Sequence, residues 1–520
     1  MSGRNTLKLK LDISKKCGEG DSQCSCSPKP DGIKVSKVTG ITNANGFVAL
    51  VHKSDKPFKL LQSLGDDEQL KNDIPSVKTV AVYYWDGDDD FKRPLLLEVE
   101  TSSGGKQYYY KYEQDECEAQ NDTSTWKYNP GNHSLQERLD DRYCGRNHAI
   151  PFDIKELTKN HATGRSACLK KTRSITESTS PPQPHPGGGY TIQEYEVNGS
   201  DTKISRVTFG GQDTRGIDPK NDEISKIRLF IQNNVSSGPP LMLQFMKQDG
   251  DSKWFYNQNS DGTDWGSVDN HSKFYGPGDE PTEKLTTALD DVRCVRDSAV
   301  TLNLSFENSE THSSGTKYCC RYHDTSVKKV TVTPVQISCM VKDHPSSKLT
   351  AYKHSIESNM KLAGIKYYVG SSSNNNDRKN ITGPGLDFPI SAPVTISAFY
   401  CNENGNGPVL IYVDSKGNAA KGWFKKGGTQ DSEDWTPVPS NLDSITPDNF
   451  STLNREQWKV FVGLLKGAGC NELKECPPDN SSKWIKIGSG VTSTVGTGGA
   501  AYGGWYAWVN YFLDPLVRLI

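Results

Sequence analysis

The sequence is poor in apolar residues and nearly neutral. Only 33% of its 520 residues are hydrophobic, and the formal net charge is -2. So even a balance gives no electrostatic footprint for nucleic acid. No stretch of about 18 strongly apolar residues occurs, so no membrane span is expected. The opening MSGRNTLKLKLDISKKC lacks the apolar core of about 7–15 residues that an ordinary signal peptide carries. Also missing are an H-E-x-x-H pair, a G-x-S-x-G elbow, a P-loop and the Rossmann glycine pattern. The ten histidines are scattered. These absences argue against an enzyme, and no catalytic residue, cofactor or metal is expected.

Glycine (47), proline (28) and aromatics (9%) are plentiful. Low hydrophobicity with many Tyr and Trp fits small β-rich modules with long polar loops, whereas wholesale disorder calls for fewer aromatics. Thirteen cysteines and nine N-x-S/T sequons favour an oxidising compartment, hence a secreted or cell-surface protein. That placement conflicts with the missing signal peptide and leaves the export route open.

The chain is organised around Val77–Val99. Val80, Val82 and Tyr84 alternate with Thr79, Ala81 and Tyr83, the period of a strand with one buried face. Asp86–Asp90 is turn chemistry, and its calcium-loop character lacks the spacing of an EF-hand. Pro94–Val99 is the return strand. This hairpin recurs: Val80, Val82 and Tyr84 reappear as Ile227, Leu229 and Ile231, and again around Val394, Ile396 and Ala398. An aromatic strand follows each time (Tyr108–Tyr110, Trp254–Tyr256, Trp423–Phe424), then a marker tryptophan (Trp126, Trp265, Trp435). Leu135, Leu139, Asp140, Asp141 and Cys144 recur as Leu285, Leu289, Asp290, Asp291 and Cys294. Matching order over such a length is a repeat signature. Ser134 and Glu137 form a capping box, opening a helix at Leu135. Asn454–Lys466 is the helix of the third, divergent copy.

The predicted fold is mainly β (all-β to α+β): three tandem antiparallel sheet or sandwich-like modules, each with one packed helix. The expected organisation is a polar cysteine-containing leader (1–30), module one (31–165), a Ser/Pro/Gly linker (166–189), module two (190–306), a cysteine-containing bridge (307–345), module three (346–480) and a Gly/aromatic tail (481–520). Cys17, Cys24 and Cys26 suggest a disulfide-tied loop rather than a zinc knuckle. Cys319 and Cys320 are expected to pair elsewhere, or one to stay free, because a vicinal disulfide is strained. The tail's Trp and Tyr suit weak membrane contact or packing on protein.

The aromatic strands could offer stacking platforms to a ligand, with Tyr109, Phe255 and Trp423 as the residues facing it, although alternation favours core packing. Trp126, Trp265, Trp435, Cys144 and Cys294 are read as structural repeat markers. The Asp140/Asp141 and Asp290/Asp291 pairs could serve as acid and base. With Arg142 and Arg293 beside them, capping and solvated charges are the simpler reading.

The VYYW hairpin with its Pro-Leu-Leu strand, the aromatic strand with downstream Trp, and the Leu-x-x-x-Leu-Asp-Asp…Cys helix carry a likeness. So do Lys-Lys-Cys-Gly-Glu at 15–19 and the Tyr-Gly-Gly-Trp…Asp-Pro-x-Val-Arg-x-Ile ending at 502–520. With these the chain resembles a lineage-expanded family of piroplasm parasites (Theileria type), secreted or surface-exposed variable proteins. Some members are built from repeats similar to the FAINT domain. The resemblance implies a host–parasite interface role and supplies no catalytic residues. The leading expectation is a non-enzymatic surface or secreted protein that binds a host protein or glycan, or displays variable loops. A glycan-active hydrolase and an intracellular structural scaffold are the rivals.

Overall fold

The computed structural model describes residues 7–9, 11, 13, 33–65, 68–111, 125–156, 173–179, 189–219, 222–233, 238–340, 349–370, 377–401, 405–415, 420–427, 434–438 and 442–476. The leader cysteines Cys17, Cys24 and Cys26 and the aromatic tail lie outside the described residues. Among the described residues the protein is mainly β, with five sheets and four α-helices.

Three large sheets each carry one of the hairpins, close to the centre of the sheet. In the first, Ile74–Trp85 pairs antiparallel with Leu96–Thr101, placing Val80 opposite Val99 and Val82 opposite Leu97. In the second, Ile227 faces Phe245 and Leu229 faces Leu243. In the third, Ile396 faces Val413 and Ala398 faces Ile411. The second sheet runs Ile175–Glu177, Tyr190–Val197, Ile224–Gln232, Met242–Lys247, Ser252–Asn257, Trp265–Ser267. The third repeats that order from Val330–Pro334 to Trp435–Pro437.

These strands are buried on both faces, not on one as the alternation suggested. Val80, Val82 and Tyr84 enter one core with Leu97, Val99 and Trp126. Ala81 and Tyr83 enter another with Leu139 and Tyr143 of the Leu135–Asn147 helix. The same division holds in the other modules. Phe230, Met242 and Trp254 meet Leu285, Leu289 and Val292 of the Glu283–Asp297 helix. Phe399, Leu410 and Trp423 meet Trp458, Phe461 and Leu465 of the Arg455–Gly467 helix. Two covered faces explain why odd and even positions of the strand are both apolar or aromatic.

The helices start where the capping chemistry places them. Ser134 Oγ accepts from the Glu137 amide at 3.2 Å and Glu137 Oε2 accepts from the Ser134 amide at 3.0 Å. Asn454 and Gln457 form the equivalent box on the last helix. The first two helices end alike, on a residue in the left-handed region: His148 (φ 57°) and Ser298 (φ 52°). That turn redirects the chain into a strand that pairs with the following module. Ala149–Asp153 runs parallel to Lys203–Phe209, and Ala299–Asn303 runs parallel to Lys361–Tyr368. Both pairings carry a bulge at the same place, between Ile150 and Pro151 and between Val300 and Thr301. The two small sheets so formed cover the free faces of the second and third large sheets.

Candidate functional site

Because Ser298 turns the chain back, the second helix lies over the small sheet of module three. Its inward side carries Glu283, Asp290, Asp291 and Cys294. Asp290 is 7% exposed and is not a solvated cap. Its Oδ2 accepts from Lys366 Nζ at 2.8 Å and from Arg378 Nη1 at 3.0 Å, and its Oδ1 accepts from Tyr190 Oη at 2.8 Å. Arg378 Nη1 also donates to Glu283 Oε1 at 2.9 Å, which accepts from Tyr368 Oη at 2.6 Å. Burial alone would raise the Asp290 carboxyl, but Arg378 and Lys366 outweigh it and hold it well below the ordinary range.

Asp140, the matching residue of the first helix, is likewise buried, with Arg206 Nη2 of module two donating to it at 2.6 Å. With this one cation against the same burial, its carboxyl is pushed up instead. Reading Asp140 and Asp290 as solvated caps is therefore corrected: each spans a junction and pairs with a base of the next module. The expectation arose because the basic partners are remote in sequence. Of the adjacent arginines, Arg142 Nε donates to Asp141 at 2.9 Å, while Arg293 Nη1 donates to the Ala363 carbonyl at 3.3 Å.

Beside the charge cluster is a cavity of about 570 Å³, lined among others by Asp291, Cys294, Tyr318, Cys319, Arg321 and Lys366. Burial pushes Asp291 up to about 7, against the pull of Arg321 at 3.6 Å. At one side of this cavity three sulfurs and an imidazole converge. Cys294 comes from the helix, and Cys319, Cys320 and His323 from the bridge. The four ligand atoms all lie within 4.8 Å of one another. His323 Nδ1 is 3.0 Å from Cys320 Sγ, 3.4 Å from Cys319 Sγ and 3.6 Å from Cys294 Sγ. The bridge is held in place on both sides of this turn. Tyr318 exchanges backbone hydrogen bonds with Val330, and Tyr322 stacks on Tyr256 with centroids 4.4 Å apart. Hydrogen bonding from Cys294 and Cys320 lowers the Cys319 thiol below its ordinary value. Cys319 and Cys320 are thus brought to Cys294 and His323 as thiols, and the expectation of separate disulfide partners is not met. The described disulfide is Cys401–Cys470, which ties the third sheet to the end of the last helix.

A second polar knot lies fully buried nearby. His354 Nε2 is 3.0 Å from Ser309 Oγ and its Nδ1 is 2.9 Å from Tyr318 Oη. Ser309 Oγ also donates to the Ser305 carbonyl at 3.0 Å, and both Ser309 and His354 are 0% exposed. The pair has the atoms of a nucleophile and base with no surface for a substrate to reach.

Burial, then the nearby His312, depresses His354 to about 3. Its unfolded value is near 6.5, so the unfolded state binds the extra proton first. This contribution is intact above about pH 6.5 and is lost as the pH falls toward 3. We expect a loss of about 2 kcal/mol between pH 7.5 and pH 5 from this residue alone. The check is a histidine NMR titration: the His354 ring resonance should stay unshifted down to pH 5. Titration near pH 6.5 would refute the assignment.

No family model matches the sequence, and no curated protein or solved structure matches it.

Tyr109, Phe255 and Trp423 do not face a ligand. They are 8%, 6% and 4% exposed. Trp423 packs among Phe399, Phe450 and Phe461, and its Nε1 donates to the Ile445 carbonyl at 2.9 Å. Tyr109 and Phe255 pack on the sheet face away from the helix, which is itself covered, and Trp423 packs under the Arg455–Gly467 helix. Trp126, Trp265 and Trp435 stand at one structural position. Each lies in the last strand of the core hairpin series, and that strand is bridged in parallel by a segment from the opposite side of the module. Cys144 and Cys294 are both buried on their helices. Sequence reading missed the convergence of Cys294 with Cys319, Cys320 and His323. The run Cys319-Cys320-x-x-His323 was its local signal, and the fourth ligand lies too far upstream to be associated with it.

No described helix is long and apolar enough to cross a membrane.

Proposed function

We propose that this chain is a non-enzymatic repeat protein of a parasite surface or secretion, whose work is to hold loops in fixed relation and present them to a host protein or glycan. The observation that carries the reading is the junction, built twice with the same left-handed turn, the same bulged parallel pairing and a buried aspartate held by the next module. Such joints suit a display framework, in which neighbouring loops keep their spacing. The resemblance to the piroplasm family points the same way.

The hydrolase reading is favoured by one feature, that Asp290 and Asp291 both line the 570 Å³ cavity. Glycoside hydrolysis needs two carboxyls for acid and base or nucleophilic work. Asp290 has both oxygens engaged, which leaves Asp291 alone.

The test combines membrane-impermeant labelling of intact cells with binding of the purified chain to host cells and a glycan array. Surface labelling with saturable binding is the expected result. A protein that is unlabelled and absent from the medium would favour the intracellular scaffold. Release of reducing sugar, lost in Asp291→Asn, would replace display by hydrolysis.

A further inference from the structure

We propose that Cys294, Cys319, Cys320 and His323 bind one Zn²⁺ ion, and that this ion clips the helix of module two to the bridge leading into module three. Three sulfurs and one imidazole form a closed Cys₃His donor set of the kind that structural zinc uses. Around a tetrahedral zinc, sulfur–nitrogen separations come to about 3.6 Å and sulfur–sulfur separations to about 3.8 Å. Of the observed Nδ1–Sγ distances, 3.4 and 3.6 Å lie close to that figure and 3.0 Å is shorter, and all four ligand atoms lie within 4.8 Å of one another, so small side-chain shifts bring the set to tetrahedral spacing.

The donor set favours zinc over calcium or magnesium, which take oxygen ligands. Four protein ligands leave no open position, so the role is structural rather than catalytic. Binding converts thiols to thiolates, with their protons released to solvent and no change in oxidation state. The cavity lined by Cys294 and Cys319 gives the ion a route to two of the sulfurs. Because Tyr318 and Tyr322 anchor the turn, three of the ligands are positioned before the ion arrives. The ion then adds to the Tyr256–Tyr322 stack and the Arg321–Asp291 pair in holding the bridge to module two.

The deciding experiment uses the full chain, purified under reducing conditions, with metal content measured by mass spectrometry. One zinc per chain is expected. Cobalt substitution should give the intense visible absorption of a tetrahedral site with a thiolate charge-transfer band. Cys319→Ser/Cys320→Ser and, separately, His323→Asn should reduce bound zinc to background. His323 is half-buried on a short turn, so its variant keeps the test open if the double variant fails to fold. Cys476→Ser, outside the quartet, should retain the full equivalent. Chelation should lower Tm in the parent and leave His323→Asn unchanged. Absence of zinc with all three thiols reduced would overturn the proposal. So would a disulfide from Cys294 to Cys319 or Cys320 in the native protein, or zinc retained by both ligand variants.

Discussion

Arg378→Met lowers the stability of the coupled second and third modules by about 3–5 kcal/mol, the cost of breaking a buried charge pair from one side. Arg378 is 5% exposed and touches two carboxylates, Glu283 and Asp290. Without it, those two acids share the single ammonium of Lys366, which lies 2.8 Å from Asp290 and 3.9 Å from Glu283. Methionine fills the space but leaves one buried negative charge uncompensated. Adding Glu283→Gln to Arg378→Met restores the charge balance and should recover part of the loss. In urea unfolding followed by tryptophan fluorescence, the single variant should also show a broadened or divided transition, because the cluster couples two modules. The difference between parent and variant should narrow as the pH falls below about 4, since protonating Asp290 removes the same attraction. Its folded value is depressed, so the stabilisation is complete above the ordinary carboxylate range and is lost below it. A loss under about 1 kcal/mol would mean that water screens the cluster.

Gly383→Ala should be nearly as damaging, at about 3 kcal/mol or more. Gly383 follows Thr382, whose carbonyl accepts from the Trp435 amide at 2.6 Å. A Cβ on Gly383 would overlap the carbonyl oxygen of Trp435, and backbone cannot rotate out of the way as a side chain can. Trp435 is 0% exposed, so any retreat shifts a filled core. Module two makes the same demand at Gly216, whose Cβ would meet the Trp265 carbonyl oxygen. The control is Gly364→Ala, where the nearest atom is Thr301 Cγ2 at 3.9 Å. That variant should stay within about 1 kcal/mol of the parent, on the stabilising side, because alanine has less unfolded freedom to lose. Thermal unfolding of the two variants side by side checks the contrast, and equal Tm values would remove the close approach as the cause.

What could be read from sequence was what is local. The hairpin register follows from alternation, so Val80, Ile227 and Ile396 meet equivalent partners in three sheets. The helix start at Leu135 follows from Ser134 and Glu137. The covering of the second strand face was less legible, because the small sheet that covers it is completed by a strand from the preceding module. Phe152 belongs by position to the end of module one, yet it packs against Tyr195 and Phe245 of module two. For the same reason Asp140 and Asp290 looked solvated, since Arg206 and Arg378 are far away along the chain. Tyr109, Phe255 and Trp423 were open between core and surface; all three are buried, the first two on the face away from the helix and Trp423 under the last helix. The metal-type quartet needed both the helix and the bridge to be folded before its donors were neighbours.

The parallel strand that each helix hands forward fixes where the array can be cut and rejoined. A deletion that removed Lys203–Phe209 but kept Ala149–Asp153 would leave the latter strand without a partner, and the converse deletion would leave Lys203–Phe209 bare. An event that crosses between the two helices keeps a usable joint, because Ala149 and Ala299 enter their pairings with the same bulge and both follow a left-handed residue. The structural stretch that carries one joint to the next therefore runs from helix end to helix end. If the first helix were joined directly to Ala299, its acid would have to find a base on the sheet it meets. Asp140 would have to accept Lys366 and Arg378 in place of Arg206.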